Sequence, residues 1–344
     1  MLLPMSTSSP QDNPAPSSRP PLAADPALPP VDQPSQIDVY VGSSQPTVAT
    51  RPVALPPRRR RVRRPVILFL ITCVTTFCAG CYAWEPVWIG EPASGVVPMS
   101  QVIAARWPQG LQYMACVLAA LMFHEMGHFL MTVRHRVHAS FPYFIPFPVM
   151  LTGTMGAVIA MDGPRMNRKS LFDIGIAGPL AGLIVIVPLV IVGLLIAEPI
   201  PLTGARREYG DPLLVKLLIP LLHPNLPDGM TFLVNPIYMA GWVGMLVTGL
   251  NMMPISQLDG GHVSYAVFGR HAGLVARGFV IFVVLWLVWT GYVQWYLMFA
   301  LVLFLGIDHP PTADDTIDIG WGRRILGVAS FAIPVLCFTP IPFS

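Results

Sequence analysis

Long apolar stretches, separated by short polar or proline-rich connections, dominate the chain. Seven stand out, at about 66–84, 110–132, 174–197, 235–253, 275–290, 292–306 and 325–341. Crossing about 30 Å of hydrocarbon takes some 20 mostly apolar helical residues. The pattern therefore predicts an all-α polytopic membrane protein with about six to seven transmembrane helices. The shorter stretches need tilt, or shielding by their neighbours. Residues 139–160 are also apolar but are broken by Pro and Gly, which suits a re-entrant loop or a small β-hairpin better than a span. A further apolar patch, residues 212–222, suits a segment lying along the outer interface.

Composition supports this class. The chain of 344 residues is 53% hydrophobic and 11% charged, with mean hydropathy +0.60, against about 25% charged for an ordinary soluble domain. Residues 1 to about 57 differ: rich in Pro, Ser, Ala and Gln, they cannot bury enough apolar surface to offset chain entropy, and disorder is expected. With the basic run Arg58–Arg64 they form a tail over 1–65, ahead of a membrane domain over 66–344 with a catalytic core at about 110–265. The first apolar run starts too late for a secretory signal. Asp12, Asp25, Asp32 and Asp38 weaken a chloroplast transit peptide.

Charge placement gives an orientation. With the N-terminus inside, the inward connections carry sixteen basic residues and the outward ones four, which favours a cytoplasmic N-terminus; without a clear organelle signal, a bacterial inner membrane is expected. No basic groove with interleaved aromatics appears, so nucleic acid is not an expected partner. Cys78 and Cys81 have C-x-x-C spacing, but no second pair completes a zinc site. They read as small apolar side chains in a helix.

The chemistry concentrates at His124-Glu125-Met126-Gly127-His128, inside the second stretch. Histidines four apart on a helix project from one face about 6 Å apart, as two zinc ligands require. Glu125 lies about a third of a turn round, where it can reach water without being a ligand. It is the only Glu well inside a stretch, and ionisable groups in a bilayer are costly unless paired or functional. Catalytic zinc needs a third protein ligand. The next acid at membrane depth is Asp259, in Asn251-Met252-Met253-Pro254-Ile255-Ser256-Gln257-Leu258-Asp259-Gly260-Gly261-His262.

HEMGH on one membrane helix, with N-x-x-P-x-x-x-L-D-G-G on a later one, resembles the site-2 protease family of intramembrane zinc metalloproteases. Gly153–Ala157 and Ala177–Gly182 add weaker support. The resemblance implies one zinc ion per chain on His124, His128 and Asp259, with Glu125 activating water and Asn251 steadying the substrate or developing oxyanion. It implies cleavage within or next to the transmembrane helix of a membrane-protein partner in the lipid bilayer. Connections between the core stretches are too short for a PDZ domain, so a minimal branch is expected. The competing readings are an inactive membrane scaffold of the same fold and a membrane-anchored metalloprotease acting on water-exposed chains. Oligomeric state has no signal.

Several residues are expected to stay outside the chemistry. His135 and His138 read as interfacial, and Asp308, His309, Asp314 and Asp315 as solvated. Gly178, Ala181 and Gly182 read as helix-packing positions, and His262 as a neighbour of the pocket.

Overall fold

The computed structural model describes residues 62–84, 98–148, 152–161, 166–201, 210–255, 257–304 and 306–340. The proline-rich stretch 1–57 and Arg58–Arg61 lie outside the described residues. In chain order the elements are α1 (Arg63–Cys81), α2 (Met99–Arg134), β1 (Tyr143–Pro146), β2 (Thr154–Val158), α3 (Arg168–Leu195), β3 (Pro199–Pro201), α4 (Leu213–Leu222), β4 (Met230–Phe232), α5 (Pro236–Asn251), α6 (Asp259–Phe268), α7 (Ala272–Thr290), α8 (Tyr296–Phe304), α9 (Trp321–Ser330) and α10 (Ala332–Cys337). A 3₁₀ turn at Gly269–His271 joins α6 to α7.

Helices α2, α3 and α5 pack on one another at the centre, α1 lies along α2, and α6 lies along α3. Small residues permit this. A Cβ at Gly193 would press on the Tyr238 backbone, and one at Gly241 on Val190, so α3 and α5 approach as closely as glycine allows. Their ends are fixed by side-chain caps. Asn167 accepts from the Ser170 amide at 2.9 Å, and Asn235 accepts from the Tyr238 amide at 3.0 Å. The Asn235 amide also donates to the Gly193 carbonyl at 2.8 Å, tying the start of α5 to the end of α3.

Among the described residues, four helical stretches are long and apolar enough to cross a membrane: α1, α2, α3 and the continuous Asp259–Thr290. The sequence pattern predicts six or seven, and the difference has physical causes. The stretch 235–253 forms α5, whose 16 residues reach only about 24 Å. Tyr238 through Met245 are buried, so this helix is wrapped by protein and not by lipid. The stretch 292–306 yields the nine residues of α8. The stretch 325–341 breaks at Ser330–Phe331 into ten- and six-residue helices. Conversely, α2 starts before its apolar run, bending at Arg106 (φ −126°) next to Pro108. Large exposed side chains on α7, among them Leu274, Ile281, Leu285 and Trp289, form an apolar face suited to lipid.

Between α2 and α3 the proline- and glycine-broken segment forms an antiparallel hairpin. Tyr143 opposes Val158, Phe144 opposes Ala157 and Pro146 opposes Thr154, with an irregularity between Phe144 and Pro146. Phe144 meets Phe69 of α1 edge-on, with centroids 5.1 Å apart. At the turn, Gly153 has φ +70° and lies against the Thr75 carbonyl, a position only glycine fills without strain. The neighbouring residues 149–151 lie outside the described residues.

An ionic clamp closes the end of the bundle where the HEMGH helix finishes. Asp173 of α3 accepts from Arg323 Nε on Oδ1 at 2.7 Å and from Nη2 on Oδ2 at 2.9 Å, while His135, just after α2, places Nε2 3.0 Å from the same Oδ2. His135, expected at the interface, thus joins three elements. Forked Arg–carboxylate pairs are stronger than single contacts, but Arg323 is 38% exposed, so solvent screening leaves about 1 kcal/mol. Arg323→Ala should lower the apparent melting temperature in detergent by about 2–4 °C, measured by intrinsic fluorescence. The conservative change Arg324→Lys at the neighbouring arginine should leave it in place.

Candidate metal centre

HEMGH occupies the second half of α2, with His124, Glu125 and His128 all at most 5% exposed. What seats them is α3. A Cβ at Gly127 would fall on the Ala177 carbonyl, so α2 and α3 touch backbone to backbone. At the same crossing, a Cβ at Gly178 would overlap the His128 ring and one at Gly182 would meet the His124 ring at 3.1 Å. The glycines of Ala177–Gly182 therefore permit helix packing, as expected, and also supply the space the imidazoles fill.

Orientation follows from the hydrogen bonds. His128 Nδ1 donates to the Ile174 carbonyl at 2.7 Å, which leaves the Nε2 lone pair free to ligate. His124 Nδ1 is buried and has no partner among the described residues; its Nε2 faces Asp259.

Asp259 is the first residue of α6. Gly260 sits where a Cβ would collide with the Met252 carbonyl, so the start of α6 folds tightly back on the end of α5. That corner delivers Asp259 Oδ2 to 3.1 Å from His124 Nε2 and 3.3 Å from His128 Nε2. Donors about 2.0–2.1 Å from a tetrahedral zinc lie about 3.3 Å apart. The three groups fit that ion in type, number and spacing. Among the described residues they form the one cluster of His, Cys, Asp or Glu able to hold a metal. His135, His138 and the C-x-x-C pair are not part of it.

Glu125 and Asn251, the last residue of α5, line the same cleft of about 390 Å³ as His128 and Asp259. Residues 157–161, from the end of β2 onward, form one wall, and His262, His309, Pro310 and Pro311 form another. The connection after α8, expected to be solvated, is therefore docked over the centre: His309 Nε2 is 2.7 Å from His262 Nδ1. A lone His-Pro-Pro carries no periodicity that would have revealed this. A larger, almost wholly apolar cavity of about 700 Å³ lies between α5, α7, α8 and α10 and reaches Leu250 and Met253, but it holds none of these ligands.

The profile described as peptidase family M50 matches residues 112–289, more than half of the chain, and includes His124, Glu125, His128, Asn251 and Asp259. The chain belongs to peptidase family M50. It is also similar to proteins named probable zinc metalloprotease EGY1, chloroplastic. The one from Oryza sativa subsp. japonica is 30% identical over 293 residues, 80% of this chain and 50% of that protein. The one from Arabidopsis thaliana is 31% identical over 235 residues, 65% of this chain and 42% of that protein. The M50 chain thus spans half or less of these relatives' length. Their names carry zinc, in keeping with the ligand set here. The names are also chloroplastic, so a bacterial inner membrane gains no support from them.

Gly178→Ala forces a methyl group into the His128 ring and should reduce zinc per chain, measured by atomic absorption on purified protein, nearly to that of Asp259→Ala. Gly278→Ala, in open space on α7, should leave it unchanged.

Proposed function

We propose that this M50 chain is an intramembrane zinc endopeptidase that hydrolyses peptide bonds within or next to transmembrane segments of membrane proteins. The observation that carries the reading is the position of Glu125. It is buried inside a helix apolar enough to span a membrane, one residue from His124, and it opens on the cleft that His128 and Asp259 also line. A soluble fold or a transporter gives no reason for that constellation. An inactive scaffold would not need Glu125 and all three ligands.

A zinc ion on His124, His128 and Asp259 would supply Lewis acidity and lower the pKa of water toward neutrality. Glu125 takes a proton from the attacking water, whose oxygen bonds to the scissile carbonyl carbon. Glu125 then returns that proton to the nitrogen as the C–N bond breaks, so the amine leaves neutral. Asn251 faces the same space from the end of α5 and steadies the substrate backbone or the oxygen that gathers charge. Its position beside the Met252–Gly260 corner keeps it in register with Asp259.

A substrate helix hides its amides in internal hydrogen bonds and must unwind before cleavage. The hairpin offers the unwound stretch a place to pair. β1 covers one edge of β2, and among the described residues no strand covers the other, while residues 157–161 border Glu125 and Asp259. Addition of an extended segment to that edge fixes its backbone beside the centre. We further infer that the end bearing Arg58–Arg64 lies on the side where the basic connections gather.

Glu125→Gln should retain zinc and lower cleavage of an apolar-segment peptide in detergent by about 10²–10⁴-fold, read by mass spectrometry; undiminished turnover would remove the proposed role. Ala157→Pro should abolish pairing at the β2 edge and cleavage together, with zinc content preserved.

A further inference from the structure

The connection after α8 is fastened at both ends. Arg277 Nη2 donates to both oxygens of Asp308, at 3.0 and 2.9 Å. Tyr265 Oη donates to Asp315 at 2.8 Å, Arg168 Nη1 to the Asp315 carbonyl at 3.3 Å, and the Ala313 amide to the Met166 carbonyl at 2.8 Å. Between these fastenings His309 stacks on Tyr265, with centroids 4.6 Å apart and planes 24° from parallel. Its Nδ1 lies 2.6 Å from the Pro310 carbonyl and its Nε2 lies 2.7 Å from His262 Nδ1.

These contacts determine where the protons are. A carbonyl only accepts, so His309 Nδ1 carries hydrogen. Burial pushes the His309 imidazole below its ordinary range, which keeps the ring neutral. His309 Nε2 is then a lone pair and accepts from His262 Nδ1. In the neutral His262 ring, the remaining nitrogen, Nε2, is left as an acceptor. His262 is 8% exposed, lines the cleft with Glu125 and Asp259, and its Nε2 has no hydrogen-bond partner among the described residues. Open to the cleft, this nitrogen is placed to accept from a donor that enters it.

We propose that His262, oriented by His309 and Pro310, is a substrate-binding residue whose Nε2 accepts a backbone N–H from the unwound peptide, on the side of the cleft opposite the β2 edge. This rests on the endopeptidase reading and deepens it. The hairpin holds one flank of the extended segment, and the strap, through its histidine pair, holds the other. His309 is a positioning residue that acts through His262.

Binding can be read without turnover. The probe is a fluorescent peptide of about 30 residues with about 20 apolar ones at its centre, titrated in detergent micelles against zinc-loaded Glu125→Gln. Adding His262→Ala should weaken binding about five- to tenfold. Adding His309→Phe, which keeps a ring on Tyr265 but removes the acceptor that turns His262, should weaken it about two- to fivefold. A set of peptides each N-methylated at one backbone amide should contain one that loses affinity with Glu125→Gln but shows no further loss once His262→Ala is present. Unchanged affinity in both histidine variants would overturn the proposal. So would losses from methylation and from His262→Ala that simply multiply at every position. Loss of zinc from His262→Ala would place the ring with the metal instead, and overturn it too. Cleavage of the same peptide by the unaltered chain, and not by Glu125→Gln, tests the endopeptidase reading separately.

Discussion

The backbone contact between α2 and α3 governs everything at the centre. Gly127 lets α2 touch the Ala177 carbonyl, and Gly178 and Gly182 leave the hollows that His128 and His124 occupy. Without this approach the two imidazoles would have no room on that face. The Ile174 carbonyl would also be out of reach of His128 Nδ1. In a bilayer such packing cannot rely on the hydrophobic effect, since lipid tails are as apolar as the side chains they replace. Close van der Waals contact between small residues must hold it.

A second tight approach sets the third ligand. Gly260 packed on the Met252 carbonyl turns the chain sharply between α5 and α6, so one corner presents Asn251 from a helix C-terminus and Asp259 from a helix N-terminus. Asp259 and the proposed substrate contact Asn251 are thus held by the same few backbone atoms. The docked strap adds a third wall to this corner, carried by residues from the far end of the sequence.

The cluster of His124, His128 and Asp259, able to hold a metal, was legible in the sequence because each residue has a local signature: i,i+4 histidines on one helix face, and an acid followed by two glycines beside an apolar run. The hairpin was legible as a failure of helical pattern, with Pro and Gly at 142–156 breaking an otherwise apolar segment. Span number was less so. Hydropathy reports how apolar residues 235–253 are, yet it cannot tell lipid from protein as their surroundings, and α5 is enclosed by protein. His309 was illegible for another reason. Its role depends on a contact with His262, 47 positions away, and polar residues in a proline-rich connection give the pattern of solvent exposure whether or not the connection docks.

The open side of β2 has a consequence for the medium around it. Backbone N–H and C=O groups left unpaired in hydrocarbon cost several kcal/mol each, and irregular backbone at membrane depth persists only against protein or beside a wet cavity. On the proposed reading, the edge at 157–161 is therefore hydrated between substrates, and the cleft it borders is the one that contains Glu125. The same exposed amides that would let this strand receive a peptide would keep a small reservoir of solvent in an apolar environment. A hydrolase working there draws its second reactant from that reservoir.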